Sequence, residues 1–208
     1  VWYQPIYSVE DDKIISAEAL LRLENPELGK ISPVEFIPAA ERNGKIVKLG
    51  ALVFDKVCRF IAENDLMSLG IKYIEVNLSV VQCMQADLAE EFMAILDKYH
   101  INPAIICLEI TETAAENVSD MLVQNVDKLE KNGVKFALDD FGTGYSNLQK
   151  MISIPFSYVK YDKEMVWAAV EGGRARIAVE SNSELMKNLG IKVVAEGVET
   201  AEQLEEMK

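Results

Sequence analysis

Histidine is nearly absent from this 208-residue chain: His100 is the only one. A metal site of two or three imidazoles therefore cannot form within one chain. A Ser-His-Asp triad would have to use His100, which has no motif around it in Lys98-Tyr99-His100-Ile101; a helix-end or loop position is the plainer reading. Cysteine is scarce too. Cys58, Cys83 and Cys107 are far apart and form no CxxC pair, which excludes zinc and dithiol motifs and suits a reducing compartment, the cytoplasm. No apolar run reaches the roughly 18 residues that a membrane span needs. The opening Val1-Trp2-Tyr3-Gln4-Pro5 has no basic stretch followed by an apolar one, so it is no signal peptide. Without a secretion signal, the acceptor patterns at Asn77-Leu78-Ser79 and Asn117-Val118-Ser119 carry no weight. The opening has no start methionine either, and a domain of a longer protein is expected.

Positive charge is in deficit. Lys and Arg number 21 against 34 Asp and Glu, a net charge of −13, and no basic stripe is visible. A partner such as long nucleic acid is excluded on that ground. A small anionic ligand stays compatible if metal ions offset the local negative charge. Repeats and low-complexity segments are missing, and so is the GxGxxG turn of dinucleotide-binding sheets.

Half of the residues are hydrophobic, enough for one sizeable core. Short apolar runs alternate with stretches of helical period. The strand candidates are Trp2–Ile6, Ile14–Leu21, Tyr73–Leu78, Ile105–Ile110, Lys135–Leu138, Tyr158–Tyr161 and Lys192–Ala195. Helices are expected over Pro33–Asn43, Val47–Asn64, Leu88–Tyr99, Val118–Asn132, from Ser146, over Arg174–Leu189 and over Ala201–Met207. This alternation predicts an α/β fold with a largely parallel sheet. A (β/α)8 barrel of the TIM type needs eight strands, so the eighth is expected beyond Lys208.

Polar residues fall near the C-terminal ends of these strands: Glu18 and Arg22, Asn77, Glu109 with Glu112, Asp139-Asp140, Lys160 with Asp162, and Glu196 with Glu199. In a parallel barrel those ends share the face that carries active sites. One acid at a strand end is an ordinary solvated carboxylate. Several embedded in apolar runs, such as Glu18 within Ile14–Leu21, are costly without a compensating cation. Carboxylates and an amide oxygen suit hard ions, Mg2+ or Mn2+ and also Ca2+. The adjacent Asp139-Asp140 can bridge two ions, a known arrangement for phosphodiester hydrolysis. Lys160 would orient water or form an ion pair. Asp140-Phe141-Gly142 also occurs in kinases, but no HRD segment or glycine-rich lid accompanies it here.

Ser16-Ala17-Glu18-Ala19-Leu20-Leu21-Arg22 resembles the signature of the EAL domain, the bacterial cyclic-di-GMP phosphodiesterase module. The resemblance runs along the chain through Tyr3–Ile6, Phe36–Glu41, Val76–Ser79, Leu108–Glu112, Asp139–Ser146, Val159–Asp162 and Ala195–Thr200. It implies an EAL-type barrel over residues 1–208, C-terminally incomplete, and hydrolysis of cyclic-di-GMP to linear pGpG in second-messenger signalling. Implied roles are Glu18, Asn77, Glu109 and Asp139 on one metal ion and Asp139 and Asp140 on a second. Glu196 would serve as ligand or base and Lys160 on the attacking water, with Gln4 and Arg22 on the substrate. Glu112 would steady the Asp140–Gly144 loop, with Asp162 and Glu199 as accessories. Two ions of Mg2+ or Mn2+, inhibition by Ca2+ and a homodimer are further expectations, with no membrane contact by the domain itself. Tyr161 and Lys163 depart from the family's usual aliphatic residue and arginine. Two other readings compete: a receptor of EAL type that binds the nucleotide without cutting it, and a different metal-dependent barrel enzyme. All the implied ligand and catalytic residue types are present, which disfavours the receptor.

Overall fold

A computed structural model describes residues 1–116, 119–143 and 153–207. In chain order the elements are β1 (Trp2–Ser8), β2 (Lys13–Leu20), β3 (Leu23–Asn25), β4 (Gly29–Ile31), α1 (Pro33–Arg42), α2 (Lys45–Glu63), β5 (Tyr73–Asn77), α3 (Val80–Cys83) and α4 (Leu88–Lys98). There follow β6 (Ile106–Thr111), α5 (Glu112–Glu116), α6 (Asp120–Lys131), β7 (Lys135–Phe141), β8 (Tyr158–Tyr161), α7 (Lys163–Glu171), α8 (Gly173–Asn188), β9 (Lys192–Ala195) and α9 (Ala201–Glu206). Two compact units divide the chain, one of Val1–Leu108 with Ser119–Lys135, the other of Glu109–Val118 with Phe136–Lys208.

In the first unit β1 lies antiparallel to β2, and β2 lies parallel to β5. Parallel strands covered on both faces read as continuous apolar runs. β5 follows that rule, with Tyr73, Ile74 and Val76 buried. Helix α2 repeats apolar residues at helical spacing, and Ile46, Val53, Phe54, Val57, Cys58 and Ile61 are its buried stripe. Phe54 stacks on Phe92 of α4 with centroids 4.0 Å apart. A surface clamp joins the same two helices: Lys98 Nζ lies 2.6 Å from Asp55 Oδ1, and Tyr99 Oη donates to Asp55 Oδ2 at 3.1 Å. The ammonium, then the phenol, hold the Asp55 carboxyl below its ordinary range against the opposing effect of partial burial.

In the second unit β7, β8 and β9 are parallel neighbours in that order. Val166 and Ala169 of α7 and Val179 and Met186 of α8 are the buried positions of their helices. Asp162 caps α7, its carboxylate accepting from the Glu164 N–H at 2.8 Å, so this accessory candidate has a structural partner.

All seven expected strands are present, as are the helices over 33–42, 45–63, 88–98, 120–131, 173–188 and 201–206. The helix expected from Ser146 lies outside the described residues. Elements β3, β4, α3, α5 and α7 were not foreseen. Among the described residues no helix is long and apolar enough to cross a membrane.

Candidate active site

The second unit gathers its charged residues around one lysine. Lys160 on β8 is 2% exposed, and its Nζ lies 2.7 Å from Glu109 Oε1, 3.2 Å from Asp139 Oδ1 and 2.9 Å from Glu196 Oε1. Glu109, at 1% exposure, is as buried as the lysine. Taking such charges out of water costs several kcal/mol per ion, which only close, well-directed pairing offsets. One ammonium faces three carboxylates here, so Lys160 alone does not neutralise the group.

Asp140 adds to the imbalance. Successive residues of a strand point to opposite faces, so adjacent aspartates should diverge. They do not, because the β7–β8 register shifts between Leu138 and Phe141 and Asp140 takes φ 57°. A bulge re-aims a side chain in this way. Asp is among the residues that tolerate left-handed backbone best, although such a position still costs of order 1–3 kcal/mol. Asp139, Asp140 and Glu196 each offer a carboxylate oxygen within 4.8 Å of the others. Oxygens bound to one divalent ion at about 2.0–2.6 Å have separations of that size, so the donor set fits Mg2+, Mn2+ or Ca2+.

The adjoining loops are held firmly. Glu112, 3% exposed, accepts from the Gly142 N–H at 3.0 Å. Gly142 takes φ 104°, and a Cβ there would lie 2.7 Å from Met165 Sδ. The Glu196 N–H donates to the Tyr161 carbonyl at 3.1 Å, and the Trp167 indole donates to the Gly197 carbonyl at 2.7 Å. Glu199 is exposed, and its N–H donates to Gln203 Oε1 in the cap of α9.

The first unit carries a second polar group. Gln4 on β1 stands opposite Glu18 on β2, and Glu18 stands beside Glu75 on β5. Asn77 Nδ2 donates to Glu18 Oε1 at 2.7 Å, which leaves the Asn77 amide oxygen available to a cation. Glu75 is 0% exposed and was missed by the sequence reading. The criterion that found Glu18, an acid embedded in an apolar run, applies equally to Tyr73-Ile74-Glu75-Val76. Arg22 follows β2 and donates from Nη1 to the Leu21 carbonyl at 3.0 Å. Beyond the same strand end lies a cavity of about 310 Å3, lined by apolar Leu21, Leu23, Phe36, Ala39, Ala40 and Leu49 with Asn43 and Lys45.

Parallel strands alternating with helices, with carboxylates and a buried lysine at the strand ends, define an α/β protein suited to hard cations and an anionic ligand. The family model described as EAL domain matches residues 1–208, and the chain belongs to that family. It is 35% identical over 209 residues to the bifunctional diguanylate cyclase/cyclic di-GMP phosphodiesterase MucR of Pseudomonas aeruginosa, covering 98% of this chain and 30% of that protein. It is 32% identical over 203 residues to the cyclic di-GMP phosphodiesterase RocR of the same organism, covering 97% and 51%. The chain thus spans about a third to a half of the length of these two relatives. A structure described as the PaMucR phosphodiesterase in complex with c-di-GMP superposes with TM-score 0.89 at 35% identity, covering 99% of this chain and 83% of that one. The EAL enzyme Bd1971 in a form bound to cAMP and cyclic-di-GMP gives 0.89 at 26% identity, covering 99% and 56%. The α/β EAL fold expected from the sequence is the fold of this chain.

Proposed function

We propose that this chain hydrolyses one phosphodiester bond of cyclic-di-GMP to linear pGpG, in a cytoplasmic signalling protein, with Mg2+ or Mn2+. The observation that carries the reading is Lys160. A buried ammonium shared by three carboxylates is a costly arrangement that a folded core has no need of, and it occurs in a chain of the EAL family. Relatives at 32–35% identity are named as phosphodiesterases of this nucleotide.

Glu18, Asn77, Glu109 and Asp139 would hold one ion, and Asp139 and Asp140 the second with Glu196 beside it. Bound ions would lower the pKa of a coordinated water and spread the negative charge of the phosphate. Lys160, at the centre of the carboxylates, would orient the attacking water by donating to it. Glu196, 2.9 Å from Lys160, would take up the proton that the water gives up. Gln4 and Arg22 hold phosphate and nucleotide groups, and the cavity past Leu21 takes an apolar base face. Glu112 fixes the loop at Gly142 beside the aspartates. Asp162 supports from the cap of α7, and Glu199 from the turn after Glu196. Ca2+, with its longer and looser coordination, would occupy the site and inhibit. A homodimer formed through the loop after Asp140 is part of the same reading.

The test is product formation. With Mn2+ the protein should convert cyclic-di-GMP to pGpG, and Glu18→Ala should lower turnover at least about 100-fold with the fold intact. Tight binding of the nucleotide with no pGpG under any divalent ion would make the chain a receptor instead.

A further inference from the structure

Trp2 is the largest side chain of the first unit left in solvent, at 62% exposure. Its position is fixed rather than frayed. Trp2 pairs with Leu20 in the β1–β2 ladder, and the next residue, Tyr3, stacks on Phe60 of α2 with centroids 4.2 Å apart and planes 20° apart. Because β1 is antiparallel to β2, the start of β1 lies at the C-terminal end of β2. Opposed residues, and residues two apart on one strand, share a face. The indole therefore stands on the face that carries Gln4 and Glu18. Two cations flank it. The Arg22 guanidinium lies 6.0 Å and the Lys30 ammonium 5.9 Å from the ring centroid. Both sit at the outer edge of cation–π range, and the side chain stays mostly in solvent.

An indole 62% exposed beside two positive charges suits a ligand with a flat π-face and an anionic backbone. We propose that Trp2 stacks against one guanine base of the bound cyclic dinucleotide, with Arg22 and Lys30 attracting the adjoining phosphates; this rests on the phosphodiesterase reading above. Trp2 is thereby a binding and positioning residue, outside the metal-holding group.

Base–aromatic stacking predicts a rise in KM for cyclic-di-GMP of about 10- to 100-fold in Trp2→Ala, with kcat changed much less. Trp2→Phe keeps a stacking ring and should recover most of the loss. The chain has two tryptophans, Trp2 and Trp167, so emission also reports on the contact. Titration with the nucleotide should quench wild-type fluorescence saturably, and Trp2→Phe should lose that quenching while still binding. An unchanged KM in Trp2→Ala, or quenching that persists in Trp2→Phe, overturns the inference while leaving the hydrolase reading intact. A wild-type protein that neither binds nor cuts the nucleotide overturns both.

Discussion

At the scale of single residues, Lys160 carries most of the argument. It answers three carboxylates at once. Lys160→Met should lower stability by about 3–5 kcal/mol without divalent ions, because it removes the ammonium that three carboxylates share. Mn2+ should restore part of that stability, while turnover stays at least about 100-fold down. Thermal melts with and without Mn2+, beside an activity assay, check both. Asp55 is a milder case. Its carboxyl is held below the ordinary range chiefly by Lys98, so the clamp contributes above the unfolded pKa and is lost as pH falls through the folded one. Lys98 is largely in water and Asp55 partly so, and the contribution is at most about 1 kcal/mol. Asp55→Asn should be slightly less stable than wild type at pH 7, and the difference should shrink as pH falls below the ordinary carboxyl range in urea titrations. Residue identities at strand ends were legible from sequence because acids inside apolar runs stand out. The left-handed turn of Asp140 was not, since Asp139-Asp140 reads as a pair whether or not the strand is bulged.

At the scale of elements, the long ones were legible and the short ones were not. Helix α2 has five turns of apolar period and could be read directly. Helix α3 has four residues, and its signal is one capping box, Ser79 with Gln82. The β3–β4 pair has three residues a side, and its turn is organised by Asn25 Oδ1 accepting from Glu27 and Leu28 N–H groups. Hydrophobic periodicity cannot register over three residues. Helix α7 is long enough to have been found. Its missed signal was the cap at Asp162, read as a site residue rather than as a helix start. The packing of α2 on α4 is the element contact most open to test. Phe54 is 1% exposed and stacked on Phe92, so Phe54→Ala should cost about 3–5 kcal/mol by chemical denaturation. Activity per folded molecule should be unchanged.

At the scale of the whole chain, the account turns on charge. The protein carries −13, and acids gather at the strand ends of both units. Such an arrangement repels a dinucleotide that carries two phosphates unless cations intervene. On the proposed reading divalent ions would act twice, offsetting the fold's own carboxylates and admitting the nucleotide. The EAL match over residues 1–208 agrees with that reading of the sequence, in which spaced motifs rather than any one of them pointed to the family.

The most direct measurement is one Mn2+ titration of metal-stripped protein with cyclic-di-GMP present, following thermal stability and pGpG release together. The account predicts that the melting temperature and the hydrolysis rate rise over the same Mn2+ range, with no product before ions are added. Hydrolysis that proceeds at full rate in excess chelator, or ions that never stabilise the protein, would contradict it.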